Sequence, residues 1–141
     1  MKILGIDYGD ARTGLSVSDP TGLLAGSPSV LAEWNRDKLL DRLTEYVAQN
    51  RIEEIVLGCP KNMDGTVGER AQKCMALAEE LRTRTGLPVA LWDERRTTVA
   101  AHDILRANGK KEKKHRQSVD AVAATLILQG YLDWKRNNPN E

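Results

Sequence analysis

Residues 1–19 constrain the fold of this 141-residue chain more than any other stretch. Residues 3–6 form a short apolar run that ends in Asp7, and turn-forming residues follow at 9–14. Residues 15–18 then alternate between apolar and polar. This pattern predicts a buried strand, a tight connection and a second strand that returns beside the first. A buried strand that ends in an aspartate can hold a carboxylate on a rigid element, which is what a catalytic acid needs.

Further strands and the first helix are predicted from the spacing of apolar residues. Residues 23–31 are apolar but are interrupted by glycine and proline, which predicts an edge strand. Residues 36–49 place their apolar side chains on one helical face, which predicts an amphipathic helix. The continuous apolar runs at 55–58 and 89–92 are typical of buried parallel strands.

The remaining helices are predicted from capping residues. Thr66 and Glu69 form a capping-box pattern at the start of one helix. Its expected buried stripe consists of Ala71, Met75, Ala78 and Leu81. Thr97 or Thr98 can cap the next helix, and Ser118 can cap a last helix that is apolar nearly all round. A hairpin followed by βαβ units predicts an α/β fold with a mixed sheet and helices on its faces.

Composition limits the classes of function. We expect a single domain at residues 1–136 and a flexible tail at 137–141. Charged residues make up 29% and apolar residues 40%, with no run that could span a membrane, so a cytoplasmic protein is expected. Its oligomeric state, monomer or homodimer, is left open by the sequence. The formal net charge of +1 means that any nucleic-acid binding must depend on local patches. An aromatic content of 4% argues against a single-strand binder built on stacked bases.

Acidic residues stand at the ends of three predicted elements. Asp7 follows the first strand, Asp93 and Glu94 follow the last strand, and Asp120 lies in the first turn of the last helix. Because the carboxyl ends of parallel strands share one edge of the sheet, we expect these acids to converge there. Each acid also has an ordinary explanation: a turn, an ion pair with the following arginines, or a favourable place in the helix dipole.

A cluster of carboxylates restricts the chemistry that it can perform. Two carboxylates ~4 Å apart repel by ~4 kcal/mol at an effective dielectric constant of ~20, so protons or a cation must neutralise the group. Carboxylate oxygens suit Mg2+ or Mn2+, which can activate water and stabilise the leaving oxygen of a phosphodiester. Neither histidine has an obvious serine or cysteine partner, which disfavours a nucleophilic triad.

Basic residues are predicted to lie beside this cluster. Five of them form an expected connector before the last helix: Lys110, Lys111, Lys113, Lys114 and Arg116. This run could hold a phosphate backbone or could be a solvated loop. Lys61 and Asn62 could bind phosphate at a helix start or belong to an ordinary capped loop. Arg12 and Arg95 would also contact the backbone of a nucleic acid, and Gly9 would leave room for metal and phosphate.

Four segments of the chain carry a resemblance to a known family. They are Gly5-Ile6-Asp7-Tyr8-Gly9 with Arg12-Thr13-Gly14 and Ser18-Asp19, Val56-Leu57-Gly58-Cys59-Pro60 with Asn62-Met63-Asp64-Gly65, Asp93-Glu94-Arg95 with Thr97-Thr98, and Ser118-Val119-Asp120 with Ala123-Ala124. Together they resemble the YqgF family, also called RuvX or Holliday-junction-resolvase-like proteins, of the ribonuclease H-like superfamily.

The resemblance implies a fold, an activity and a set of site residues. The implied fold is a ribonuclease H-like, five-stranded mixed sheet with its first three strands antiparallel, flanked by helices. The implied activity is that of a metal-dependent nuclease acting on the 5′ end of precursor 16S rRNA, on branched DNA, or on both. By motif match the catalytic and metal-binding acids are Asp7, Glu94 and Asp120. The motif match selects Glu94 rather than Asp93, whereas spacing alone leaves the choice between these two residues open. Asp93 and Thr97 would support them.

Three hypotheses follow for the function. The first is a phosphodiesterase that binds Mg2+ or Mn2+ and cleaves structured RNA or branched DNA. The second is a nucleotide-binding domain of the actin and sugar-kinase type, although that architecture needs two domains closing on ATP. The third is a non-catalytic RNA-binding or ribosome assembly factor on the same fold, which would bind RNA without metal-dependent turnover.

Overall fold

The computed structural model describes residues 1–59, 68–93 and 112–138, and for residues 112–120 it describes the backbone alone. These ranges contain the strands β1 (Ile3–Asp7), β2 (Arg12–Ser18), β3 (Ala25–Ala32), β4 (Glu54–Cys59) and β5 (Val89–Asp93), and the helices α1 (Arg36–Gln49), α2 (Glu69–Thr85) and α3 (Glu112–Asn137). None of the described helices is both long enough and apolar enough to cross a membrane.

The strands form one five-stranded sheet in the order β3-β2-β1-β4-β5. The first three strands are antiparallel neighbours, whereas β4 pairs in parallel with both β1 and β5. The expected mixed sheet, with an antiparallel opening and β3 at its edge, is therefore confirmed. Strand β1 lies in the middle of the sheet, which places its last residue, Asp7, at the centre of one sheet edge.

Apolar side chains cover both faces of the sheet. Alternate residues of β1 separate the two cores, since Leu4 and Ile6 join one cluster while Ile3 joins the other. The first cluster packs against α1 and α2, and the second packs against α3. This three-layer arrangement explains why the parallel strands read as continuous apolar runs.

Two helix starts differ from those predicted. Helix α3 begins at Glu112 rather than at Ser118, so Lys113, Lys114 and Arg116 lie on the helix and not in a connector. Glu, Lys, Arg and Gln all favour helices, so nothing in this basic stretch stops the helix before Ser118. Helix α2 has Gly68 as its N-cap, with no side-chain capping hydrogen bond. The expected cap Thr66 and the expected helix that Thr97 or Thr98 would cap lie outside the described residues.

The buried stripe of α2 is also shifted from the predicted one. Met75 is 44% exposed, whereas Cys74 and Leu77 are fully buried. The buried face of α2 is therefore rotated slightly about the helix axis relative to the predicted face. Ala71, Ala78 and Leu81 are buried as expected, and Gly86 ends the helix with a left-handed backbone.

Helix α3 approaches β1 most closely at Gly5. A Cβ atom at this position would lie 2.7 Å from the Leu128 Cβ and 3.1 Å from the carbonyl oxygen of Ala124. Separations this short leave no room for a side chain. Gly5 therefore fixes how closely and at what height α3 lies on the strand that ends in Asp7.

The other end of α3 is held by a buried acid at the start of β4. Glu54 is 7% exposed and accepts hydrogen bonds from the Tyr131 hydroxyl at 2.5 Å and from the Lys135 Nζ at 2.6 Å. Tyr131 also packs edge-on against Trp92, with ring centroids 6.0 Å apart. Burial, together with the Glu54 carboxylate, raises the pKa of Tyr131 above its ordinary value.

Replacing Gly5 with alanine should destabilise the fold by about 1–3 kcal/mol, because the new methyl group forces α3 away from β1. Gly26→Ala is the matched control, since a Cβ there would lie 3.9 Å from its nearest neighbour, the carbonyl oxygen of Val17. Urea unfolding measures both variants. Equal unfolding midpoints for the two would contradict this account of the packing.

The raised pKa of Tyr131 predicts a loss of stability in alkali. The unfolded chain releases the phenol proton near pH ~10 while the folded chain retains it, so stability is complete below that pH and falls above it. Tyr131→Phe should lose about 2 kcal/mol at neutral pH, because Glu54 loses a hydrogen bond, but should show a smaller further loss in alkali. Urea midpoints at about pH 8 and about pH 10.5 test this. Tyr46→Phe, the control, should retain the full alkaline loss.

Candidate active site

Asp7 lies at the carboxyl end of β1, where it pairs with Gly14 of β2. It is half-buried. Strand alternation places Asp7 on the same face as Ile3 and Gly5, which is the face covered by α3. The side chain of Asp7 is therefore carried by a rigid central strand and turned toward the helix on which Asp120 was predicted.

The backbone of α3 brings position 120 to the level of Asp7. Glu54 and Tyr131 meet at the amino edge of the sheet, while Leu128 and Ala124 lie over Gly5, so α3 runs antiparallel to β1. Asp120 precedes Ala124 by four residues, slightly more than one helical turn, which is about 6 Å along the helix axis. Asp7 lies two strand residues beyond Gly5, about 6.6 Å along β1. The rise from Ala124 to residue 120 along α3 is similar to the rise from Gly5 to Asp7 along β1. The backbone of residue 120 therefore lies at the same height along β1 as Asp7.

The register of the sheet separates Asp93 from Asp7. Gly58 pairs with Trp92 on the face of α3, and the next pair, Cys59 with Asp93, lies on the opposite face with the α1 and α2 core. Asp7 and Asp93 therefore end at the same edge but on different faces, with β4 between their strands. The expected support of the site by Asp93 does not agree with this register.

The glycine of the β1–β2 connection has a different role from the one predicted. A Cβ atom at Gly9 would lie 2.1 Å from the carbonyl oxygen of Arg12. The space beside Gly9 is thus occupied by the turn itself and is not room for a metal or phosphate. Gly9 is needed because the connection folds back tightly on β2.

Arg70, in the first turn of α2, holds this connection in place. Its guanidinium donates to the carbonyl oxygen of Tyr8 and, at 3.2 Å, to Oδ1 of Asp10, and it lies 5.8 Å from the centroid of the Tyr8 ring. Sequence reasoning missed this residue. A cation in the first turn of a helix interacts unfavourably with the helix dipole. The position of Arg70 in the sequence therefore indicated that a specific partner compensates for this cost.

Arg12 begins β2 at the same sheet edge as Asp7. It pairs with Ala32 of β3. Arg12 and Gly14 are two residues apart on β2 and therefore lie on the same face of the sheet, and Gly14 pairs with Asp7. Arg12 thus lies on the same face as Asp7. Within the described part of the chain, Arg12 forms no ion pair. Its charge is therefore available beside the candidate site.

Several predicted site residues lie beyond what the structure describes. Those outside the described ranges are Lys61, Asn62, Glu94, Arg95, Thr97, Lys110 and Lys111. For Asp120, Lys113, Lys114 and Arg116 the structure gives the helical backbone without the side chain. Residues 1–59, 68–93 and 121–138 hold no group of three potential metal ligands. The carboxylate set proposed from the motifs thus has one described side chain, that of Asp7.

Comparisons with known proteins give one consistent result. The RuvX family model, described as Holliday junction resolvase, matches residues 1–134. A Bacillus cytotoxicus protein named "Putative pre-16S rRNA nuclease" is 44% identical over 137 residues, which cover 96% of this chain and 100% of that protein. A Lachnospira eligens protein of the same name is 40% identical over 139 residues, covering 96% and 99%.

The fold also resembles that of a solved structure. Thermus thermophilus RuvC in complex with a Holliday junction substrate has a TM-score of 0.64 to this chain, with 14% identity and coverage of 97% of this chain and 96% of that one. At that identity the likeness concerns the fold alone. It agrees with the ribonuclease H-like sheet and flanking helices expected from the four motifs.

Removing the guanidinium of Arg70 should loosen the β1–β2 connection. Arg70→Ala removes the donor to the Tyr8 carbonyl, so the backbone amides of residues 8–11 should exchange faster with deuterium. Arg84→Ala is the matched control, because Arg84 lies on the same helix and forms ion pairs with Asp41 and Glu80 elsewhere. Unchanged exchange at 8–11 in Arg70→Ala would contradict the holding role.

Proposed function

This chain belongs to the RuvX family, and we propose that it is a divalent-metal-dependent nuclease that hydrolyses phosphodiester bonds in nucleic acid. The observation that carries the proposal is the placement of Asp7. A half-buried carboxylate ends the central strand, on the face covered by α3 and level with the backbone of position 120. Acids held this way on rigid elements are suited to binding a metal ion without reorganisation.

The metal-binding set that we propose consists of Asp7, Glu94 and Asp120. The register of β5 argues against Asp93, because Asp93 lies on the face away from Asp7. Glu94 is proposed on the motif match. Carboxylate oxygens are the ligands that suit Mg2+ or Mn2+. When bound, such an ion lowers the pKa of a water molecule and neutralises charge on the phosphate.

The chain itself would hold and orient the nucleic acid. Arg12, on the same face as Asp7 and unpaired within the described residues, is placed to contact a phosphate. The tight connection at Gly9, held by Arg70, keeps β1 and Arg12 in a fixed relation. The remaining residues of the proposed nucleic-acid surface are Lys61, Asn62, Arg95, Lys110, Lys111, Lys113, Lys114 and Arg116, with Thr97 in support.

Precursor 16S rRNA is the substrate that the relatives favour. Relatives with 40–44% identity over nearly the whole chain carry that activity in their names. Branched DNA is the second candidate, because the family model is described as Holliday junction resolvase. Both substrates are phosphodiesters, so the same metal and acids would serve either reaction. The choice between them depends on how the surface around Asp7 recognises shape and the 2′-hydroxyl group.

The proposal predicts that Asp7→Asn loses cleavage by at least about 100-fold, since the metal provides several kcal/mol of transition-state stabilisation. Cleavage would be measured with Mg2+ and with Mn2+ on a precursor rRNA 5′ end, a four-way DNA junction and a single strand. Titration calorimetry with Mn2+ alone provides a second measurement, in which Asp7→Asn should bind more weakly.

Asp93→Asn is the matched control, because it changes the same residue type at the same sheet edge but on the opposite face. It should retain activity and Mn2+ binding, whereas Glu94→Gln should lose both. Full activity in Asp7→Asn with normal unfolding would overturn the nuclease proposal. RNA binding by the wild-type protein with no metal-dependent cleavage of any substrate would favour a non-catalytic assembly factor.

A further inference from the structure

Trp34 is the most exposed large apolar side chain among the described residues, with 79% of its surface accessible. It lies between the end of β3 and the start of α1. Single exposed apolar residues are common on proteins, but tryptophan is the largest of them and is enriched where proteins bind partners. Its position and its neighbours decide whether it has a function.

The backbone on both sides of Trp34 is fixed. The amide of Glu33 donates to the carbonyl oxygen of Ala11 at 3.0 Å, which ties this segment to the β1–β2 connection. On the other side, Asn35 caps α1 by accepting a hydrogen bond from the Lys38 amide at 3.0 Å. The Trp34 ring is thus presented to solvent from a held backbone and not from a loose loop.

Trp34 lies at the same edge of the sheet as Asp7. Ala32, the last residue of β3, pairs with Arg12, and Gly14 of the same strand pairs with Asp7. Trp34 is two strands from β1 and about four residues further out, which gives a separation of roughly 16 Å from Asp7. That distance corresponds to about five stacked nucleotides at about 3.4 Å each.

The charges around Trp34 favour a polyanion. Three nearby cations form no ion pair within the described ranges: Arg12, Arg36 and Lys38. Two of the nearby acids are paired, since Glu33 lies 3.8 Å from Arg42 and Asp10 lies 3.2 Å from Arg70. Asp37 is the remaining acid of this segment, in the first turn of α1. Cations therefore exceed unpaired acids around the ring.

We propose that Trp34 stacks on an unpaired base of the nucleic acid that is cleaved at the metal site containing Asp7, so that the substrate of this site includes a single-stranded segment. This inference rests on the proposed nuclease function. An aromatic ring beside unpaired cations matches the way proteins hold single strands, by base stacking and phosphate contacts. A protein partner would need a continuous apolar surface, whereas the residues that flank Trp34 are Glu33, Asn35 and Arg36. The aromatic content of 4% argues against a row of stacked bases, whereas this proposal needs one ring and one base.

The test compares Trp34→Ala with wild-type protein in binding fluorescein-labelled oligonucleotides by anisotropy. Trp34→Ala should bind a single-stranded oligonucleotide about 5- to 100-fold more weakly, the loss expected on removing one stacking partner. Binding to a blunt duplex, whose bases are already stacked, should change less than about twofold. Trp34→Phe should restore single-strand binding, and the quenching of tryptophan fluorescence by the oligonucleotide should be lost in that variant.

Leu24→Ala is the matched control, because Leu24 is 64% exposed but lies in the β2–β3 turn at the opposite sheet edge. It should bind both oligonucleotides as the wild type does. Equal single-strand affinities for Trp34→Ala and wild type, or an equal loss for single strand and duplex, would overturn the stacking proposal even if wild-type protein cleaves. Absence of cleavage by wild-type protein, in contrast, would overturn the nuclease function and with it the link between Trp34 and Asp7.

Discussion

The contact between α3 and β1 at Gly5 is the constraint on which the geometry of the candidate site depends. Because a Cβ at Gly5 would lie 2.7 Å from Leu128, the helix lies directly on the central strand and can occupy only one height along it. The hydrogen bonds from Tyr131 and Lys135 to Glu54 hold the same helix at the amino edge of the sheet. Between them these contacts set which turn of α3 is level with Asp7.

The central strand and its turn are fixed in a comparable way. Asp7 pairs with Gly14, and the connection between them is too tight for any side chain at Gly9. Arg70 then joins this connection to α2 through Tyr8 and Asp10. Thus the layers on both faces of the sheet contribute to the position of the same carboxylate. Such support is what the proposed metal site would require, since ligands are best held in place before the ion binds.

Much of the fold could be predicted from the sequence, because apolar periodicity and strand-ending residues depend on local rules. The helix at 36–49 and all five strands follow from these patterns. The start of α3 could not be placed, because its basic turns have good helix propensity and also resemble a solvated connector. The side of α2 that is buried, with Cys74 and Leu77 in place of Met75, depends on the position of its neighbours.

The candidate site was predictable in part, for a related reason. Asp7 interrupts an apolar run, which is a local signal, but the choice between Asp93 and Glu94 depends on the register between β4 and β5. Arg70 donates to Tyr8, 62 residues away in the sequence, so a local pattern could show that Arg70 opposes the helix dipole but could not identify its partner. Trp34 also could not be singled out from the sequence, because it is the pairing of β3 with β2 that brings it to the same edge of the sheet as Asp7.

The charge distribution shows how a nearly neutral protein can bind a polyanion. With a formal net charge of +1, long-range attraction is weak, and carboxylates at the edge of the sheet would repel phosphate. Ion pairs at Glu33 and Asp10 neutralise nearby acids and leave Arg12 and Arg36 to act at short range. Local attraction of this kind is screened strongly by salt. If Trp34 stacks on a base as proposed, selectivity would depend on shape and stacking around Asp7 more than on overall charge, and a single exposed ring would contribute to it.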